Sequence, residues 1–368
     1  MSAAVEAQDR RFMALALGLG RRGLGRTWPN PAVGAVLVKD GVVVGRGWTQ
    51  PGGRPHAEVE ALRRAGAAAR DATLYVTLEP CSHYGKSPPC ADAVIAAGVA
   101  RVVSALEDPN PEVAGEGHAR LRAAGVTVDI GVGAEQARRD HDGHIRRMRQ
   151  RRPHVMLKLA ISADGKAGAS GRRPVTITGD RARDRVHLLR AHSDAIMVGI
   201  GTALADDPEL TCRLPGMAHD SPVRVVLDAR SRLPLQSRLV RTARNTPLWI
   251  VTSETAPQSA VDALAAAGAE VLRLPAAAGG RLDLRAVLAG LAARGITRLM
   301  VEGGPILAQA LIAADLVDEA VLFHAPKTVG PDGVDALDPG SMTALEGRLR
   351  LVTTVPVGSD REDVYERL

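Results

Sequence analysis

Aromatic side chains are almost missing from this chain: two Phe, three Tyr and three Trp in 368 residues. Single-stranded nucleic acids are held on stacked aromatic rings, so a base-stacking platform is disfavoured. The cores must be filled with Ala, Val and Leu instead. Cysteine is equally scarce, and three residues cannot form a fully paired disulfide framework. No apolar run approaches the roughly 20 residues that a membrane-spanning helix needs. The N-terminus, Met1 to Arg11, is polar and carries no apolar targeting segment. These absences predict a cytoplasmic protein with no membrane partner, whose cysteines are read as metal ligands before disulfides. The second half also lacks the G-x-G-x-x-G dinucleotide fingerprint.

What is present is a chain long enough for two hydrophobic cores, with 45% apolar residues. The formal charge of +6 is spread along the sequence as many arginines. A basic balance suits nucleic acid or a small phosphorylated substrate, and the shortage of aromatics favours the small substrate. No motif encodes an oligomeric state, so a homo-oligomer is left open.

From Asp9 to Gly20 the apolar spacing is helical. Two apolar runs then flank Asp40-Gly41, a hairpin signal. His56–Ala65, Ala91–Ala97 and Gly117–Ala124 read as helices, and Ala72–Leu78 and Val99–Ala105 as strands. This alternation predicts a three-layer α/β sandwich. The basic run RRMRQRRP, residues 146–153, reads as a solvated helix end and linker rather than a nucleic-acid contact. Domains are therefore expected at 1–147 and 150–368. In the second, HVMLKLAIS, SDAIMVGIGTAL, VRVVLD, PLWIVTS, GAEVLRL, RLMVEGG and EAVLFHAP read as strands of another α/β pattern.

The chemistry concentrates in PHAEVEAL, 55–62, and LEPCSHYGKSPPC, 78–90. A hydrolytic zinc centre needs three protein ligands and one open tetrahedral position. His56, Cys81 and Cys90 supply one imidazole and two thiolates. A zinc deaminase also needs a carboxylate that is not a ligand, to carry the water proton to the ring and the leaving amine. Glu58, two residues after His56, fits the His-x-Glu half of that signature, and Pro80-Cys81 the Pro-Cys half. The departure is the second cysteine: eight residues separate Cys81 from Cys90, where the general signature has two. His56 and Cys90 each precede a helical segment, whose N-terminal dipole favours thiolate. Cys212, far from any partner in sequence, reads as a small apolar residue.

The second half is less explicit. VEGGP, 301–305, is a strand followed by glycines and a helix, which opens a helix N-terminus to a phosphate, although a plain tight turn has the same pattern. VGIGTALADDPELTCR, 198–213, puts two adjacent carboxylates in a polar loop.

NPAVGAVLVKDG, HAEVEAL, TLEPCSHYGKSPPC and EDPNPEVAGEGHARLRAAG closely resemble the bifunctional riboflavin-biosynthesis deaminase–reductases of bacteria. The resemblance runs from about Asp9 to Leu368 and is looser in the second half. It implies a cytidine-deaminase-like sandwich followed by a dihydrofolate-reductase-like domain, which accounts for the missing Rossmann fingerprint. The implied activities are zinc-dependent hydrolytic deamination of 2,5-diamino-6-(5-phosphoribosylamino)pyrimidin-4-one, then NADPH-dependent reduction of the ribosyl to the ribityl chain. The resemblance makes Glu58 the proton donor and places Asn30, His83 and Lys86 at the substrate. It lines the NADP site with Ala160, Thr176, Thr202, Asp206, Ala229 and the backbone of Gly304, Pro305 and Ile306. It assigns Arg190, Asp206, Leu210, Arg213 and Glu302 to substrate. Two departures stand out: Thr49 where relatives often carry His, and Thr176 where Trp is frequent. The rival readings are a zinc deaminase of nucleosides or tRNA, and a deaminase whose second domain binds a nucleotide without catalysis.

Overall fold

Asp40 and Gly41 both adopt positive φ, 50° and 77°, the backbone of the two-residue turn that matches strand twist. They join β1 (Gly34–Lys39) to β2 (Val42–Trp48) as an antiparallel pair. The computed structural model describes residues 3–84, 88–111, 113–170 and 175–367, and the chain divides into two units between Arg151 and Arg152.

In the first unit the remaining elements are α1 (Ala3–Gly20), α2 (Ala57–Ala65), β3 (Thr73–Val76), α3 (Cys90–Ala96), β4 (Arg101–Ser104), α4 (Glu116–Ala123), β5 (Thr127–Ile130) and α5 (Ala134–Gln150). The sheet order is β2-β1-β3-β4-β5, antiparallel across β1 and parallel from β3 to β5. Gly34 pairs with Trp48 and Ala35 with Gly47, so Gly34 and Gly47 face opposite sides of the sheet. A Cβ on Gly34 would fall 1.9 Å from the Ala16 carbonyl of α1, and one on Gly47 2.2 Å from the Ala57 carbonyl of α2. Helices therefore press on both faces, α1 with α5 on one and α2 with α3 and α4 on the other. These are the expected three layers. The core between them is built from Ala, Val and Leu, including Leu37, Leu74, Val76 and Val103.

One buried polar network ties α1 to the sheet. Asp9, 1% exposed, accepts from Tyr75 at 2.7 Å and from Arg101 at 2.9 and 2.8 Å, and Arg101 also pairs with Asp129 at 2.7 Å.

The second unit holds β6 (His154–Ile161), β7 (Lys166–Gly168), α6 (Asp180–Ala191), β8 (Ala195–Gly199), α7 (Ile200–Asp206), β9 (Val223–Leu227), α8 (Arg238–Arg241), β10 (Leu248–Ser253), α9 (Gln258–Ala266), β11 (Glu270–Leu274), α10 (Leu284–Ala293), β12 (Arg298–Val301), α11 (Pro305–Ala313), β13 (Glu319–His324), β14 (Val334–Asp335), α12 (Pro339–Arg348), β15 (Leu349–Val357) and β16 (Asp360–Arg367). Its main sheet runs β11-β10-β9-β8-β12-β6-β13-β16-β15. The strands from β11 to β13 are parallel, and β15–β16 is an antiparallel hairpin at the edge. Parallel strands end on one edge, so Ala160, Gly199, Asp228 and Glu302 come to the same carboxyl-end rim, where open α/β sheets bind ligands.

Both units are α/β, as expected, with two differences in detail. The stretch SDAIMVGIGTAL is not one strand: β8 stops at Gly199, which caps α7. The basic run at 146–150 is, as expected, a helix end, closing the 17-residue α5. The second difference is the β15–β16 hairpin, which lies outside the expected strands although LRLVTTVPV sets Leu349, Leu351, Val355 and Val357 at alternate positions; most of the strand is exposed. Among the described residues no helix is long and apolar enough to cross a membrane.

Candidate active sites

His56 is the N-cap of α2, and Cys90 is the first residue of α3 rather than the residue before it. Cys81 follows β3 on the loop between these two helix starts. Two helix N-termini thus converge on one point and favour negative charge there. His56 Nδ1 lies 3.7 Å from Cys81 Sγ and 3.3 Å from Cys90 Sγ, and all three ligand atoms fall within 4.8 Å of one another. A tetrahedral zinc with bonds of about 2.0–2.3 Å sets ligand–ligand edges of roughly 3.5–3.8 Å, so the donor set and its spacing fit that metal. The Cys90 backbone N–H donates to Cys81 Sγ at 3.3 Å. The hydrogen bond between the two sulfurs holds the Cys81 thiol below its usual range and pushes Cys90 up.

Glu58 lies in the first turn of α2 and is 3% exposed. Burial pushes its carboxyl up to about 7, and Cys90 is among its neighbours. Asn30 Nδ2 donates to the Gly53 carbonyl at 2.8 Å and lies 3.3 Å from His56 Nε2. Both nitrogens are donors once Nδ1 takes the metal, so Asn30 is held by the Gly53 carbonyl rather than by the imidazole. Thr49 is 1% exposed and its hydroxyl accepts from the Val33 N–H at 3.0 Å, so this departure serves the backbone. His83 is exposed on the loop two residues after Cys81. Lys86 lies outside the described residues.

In the second unit the structure joins Arg190, at the end of α6, to Glu302, just after β12. Arg190 Nη2 donates to Glu302 Oε2 at 2.6 Å, and Arg190 Nη1 to the Thr211 carbonyl at 3.0 Å. Burial would raise the Glu302 carboxyl, yet the charges of Arg190 and Lys158 outweigh it and hold the pKa below the ordinary value. Lys158 Nζ stands 3.8 Å from Glu302 Oε1, and burial pulls its own pKa down. Glu302 Oε1 has no hydrogen-bond partner among the described residues.

Other expected residues sit around this cluster rather than in it. Arg213 pairs with Glu209 at 3.2 Å. Leu210 has φ 56° and a buried side chain. Asp206 is exposed at the end of α7. Thr202 Oγ1 accepts the Gly304 N–H at 3.1 Å, which fixes the start of α11, where Pro305 follows and Ile306 is exposed. A Cβ on Gly304 would lie 3.2 Å from Thr202 Oγ1 and press on that hydroxyl. Ala160 ends β6, and Ala229 follows β9, its carbonyl accepting from Ser253 at 3.2 Å. Thr176 is set apart and exposed, its carbonyl accepting from Lys327 at 2.7 Å.

Lys158 was passed over in the sequence although its signal is visible. A lysine between Leu157 and Leu159 in an apolar strand is costly to bury without a partner, and Glu302 is that partner.

A family model described as the cytidine and deoxycytidylate deaminase zinc-binding region matches residues 6–106. One described as the RibD C-terminal domain matches 153–361. The riboflavin biosynthesis protein RibD of Escherichia coli (strain K12) is 43% identical over 336 residues, covering 88% of this chain and 89% of that protein. The RibD of Aquifex aeolicus (strain VF5) is 40% identical, covering 98% of each. Among solved structures, Acinetobacter baumannii RibD superposes with a TM-score of 0.87 at 36% identity, covering 99% of both chains. A Thermotoga maritima diaminohydroxyphosphoribosylaminopyrimidine deaminase/5-amino-6-(5-phosphoribosylamino)uracil reductase follows at 0.84 and 33%, again covering 99% of both. The chain belongs to the RibD family of riboflavin biosynthesis proteins.

Proposed function

We propose that residues 1–147 deaminate 2,5-diamino-6-(5-phosphoribosylamino)pyrimidin-4-one and that residues 150–368 reduce the ribosyl chain of the product with NADPH. The protein then acts in the cytoplasm as a multifunctional enzyme on a small phosphorylated pyrimidine. The observation that carries the first activity is the convergence of His56 Nδ1, Cys81 Sγ and Cys90 Sγ beside buried Glu58.

Zinc, when bound by these three side chains, supplies the Lewis acidity that makes water a nucleophile near neutral pH. Glu58, with its carboxyl raised by burial to about 7, carries one proton from the attacking water to the ring nitrogen and then a second, from the hydroxyl left on the carbon, to the departing amine. Asn30, His83 and Lys86 contact the substrate.

In the reductase half, NADPH supplies the hydride when bound. Thr202 and Gly304 shape the α11 start for its pyrophosphate, with Ala160, Thr176, Asp206 and Ala229 lining the rest. Arg190 and Lys158 keep Glu302 ionised, and its open Oε1 accepts from a sugar hydroxyl. Asp206, Leu210 and Arg213 complete the substrate side. This buried cluster of three charges is poorly explained by a second unit that only senses a nucleotide, because stability alone is better served by apolar packing.

The test is turnover of the diaminopyrimidine ribotide by zinc-loaded protein. Ammonia release followed by NADPH loss is expected. Ammonia release from cytidine, adenosine or tRNA in place of the ribotide overturns the assignment.

A further inference from the structure

Glu79 precedes Pro80-Cys81, but its side chain turns away from the metal ligands into the segment between β4 and α4. It is 5% exposed. Oε1 accepts the backbone N–H groups of Gly117 at 2.7 Å and His118 at 3.1 Å. Oε2 accepts those of Asp108 and Gly115, each at 2.9 Å. One carboxylate thus satisfies four backbone donors that would otherwise be buried without partners. Gly115 is the N-cap of α4 and has no side chain to cap with, so Glu79 caps the helix from another element.

The contact reaches the Cys81 backbone directly. A Cβ on Gly117 would sit 2.0 Å from the Pro80 carbonyl, and Arg120 of α4 donates to the Ser82 carbonyl at 2.9 Å. Cys81 is therefore gripped from both sides by the start of α4. At the other end of the segment, Asp108 Oδ1 accepts the Asn110 N–H at 2.9 Å. The Asp108 carboxyl is half-buried. Glu79, Glu107 and His118 also bring potential metal-ligand atoms within 4.8 Å of one another. Each Glu79 oxygen already accepts two N–H groups, however, so this carboxylate is committed to backbone.

We infer that Glu79 is a positioning residue of the deaminase: it locks the backbone at Asp108 and at Gly115–His118 against Pro80, Cys81 and Ser82, and so sets the course of the loop that carries His83. The inference rests on the deaminase reading above.

The experiment uses the full chain. Glu79→Gln keeps one acceptor oxygen but turns an NH2 towards two N–H donors. Zinc content, amide exchange and ribotide kinetics are read together, with NADPH binding as the control for the other unit. Full zinc occupancy is expected, with exchange at Asp108, Gly115, Gly117 and His118 faster by about tenfold or more. KM for ammonia release should rise on the order of tenfold with a smaller fall in kcat. Glu79→Asp, which keeps the charge one methylene short, should recover part of both. Unchanged exchange or unchanged KM overturns the inference. If Glu79→Gln unfolds, Glu79→Asp decides: zinc retained with exchange raised only at these amides supports it, and zinc loss with exchange raised throughout the unit overturns it. Wild-type protein that releases no ammonia sinks the deaminase reading itself, whereas normal wild-type turnover with an unaltered Glu79→Gln sinks only the role of Glu79.

Discussion

Asn30 places its amide nitrogen 3.3 Å from Nε2 of His56, while the opposite ring nitrogen faces both cysteines. A ring that ligates a metal through Nδ1 carries its proton on Nε2, so the Asn30 NH2 meets another donor there and adds no hydrogen bond to the imidazole. Asn30 is read as a substrate contact, so Asn30→Ala should leave zinc affinity intact, measured by competition with a chromogenic chelator, and raise KM for ammonia release on the order of tenfold. Zinc binding weakened about tenfold or more would instead make Asn30 a support of the ligand histidine.

Arg190 and Lys158 are the cations facing Glu302. Arg190→Ala leaves the carboxylate with a single ion-pair contact at 3.8 Å. Removing one partner of a buried pair costs roughly 3–5 kcal/mol, so urea unfolding of the second unit should shift by that amount and NADPH oxidation should be lost. Ammonia release should continue. Loss of both activities at equal zinc content would contradict the assignment.

Thr202 accepts the first N–H of the α11 start, from Gly304. Thr202→Val keeps the shape and removes that acceptor. A neutral hydrogen bond contributes about 1 kcal/mol, so NADPH should bind about fivefold more weakly by fluorescence titration. Unaltered affinity would place the cofactor elsewhere.

Asp9 gives the fold an acid-sensitive joint. Arg101, hydrogen-bonded to it, holds its carboxyl below the ordinary value of 3.8. Its contribution is therefore fully present above pH 3.8 and lost as pH falls through the lower folded value. Asp9→Asn should destabilise the first unit by about 1–3 kcal/mol at pH 7. The gap from wild type should narrow as pH falls below 3.8 and through the lower folded value. A gap that is constant across pH would mean that packing, not charge, holds α1 to the sheet.

Much of this arrangement is legible in the residues themselves. The Asp40-Gly41 turn and the apolar strands β6 and β8–β13 announce themselves through local pattern, and His56, Cys81 and Cys90 through residue type and order. What escapes is non-local or masked by solvent. The donors that hold Glu79 lie 29 to 39 residues away in sequence, so LEPC alone discloses only its Pro-Cys half. β15 carries strand-like alternation at Leu349, Leu351, Val355 and Val357, but most of it is exposed and its place is set by pairing with β16, a non-local partner that a core-seeking pattern does not disclose. The end of β8 was overrun because IGTAL is as apolar as the strand before it, and only the cap at Gly199 separates them.

The central claim is one chain with two separable chemistries, and Glu58→Gln tests it most directly. The amide neither takes nor returns a proton, so ammonia release from the ribotide should fall by about 10²–10⁴-fold, with zinc content unchanged. NADPH oxidation should stop with the ribotide but proceed at the wild-type rate when the deaminated pyrimidine is supplied. Ammonia release within a few-fold of wild type, or no NADPH oxidation from the deaminated pyrimidine by either protein, would contradict the account.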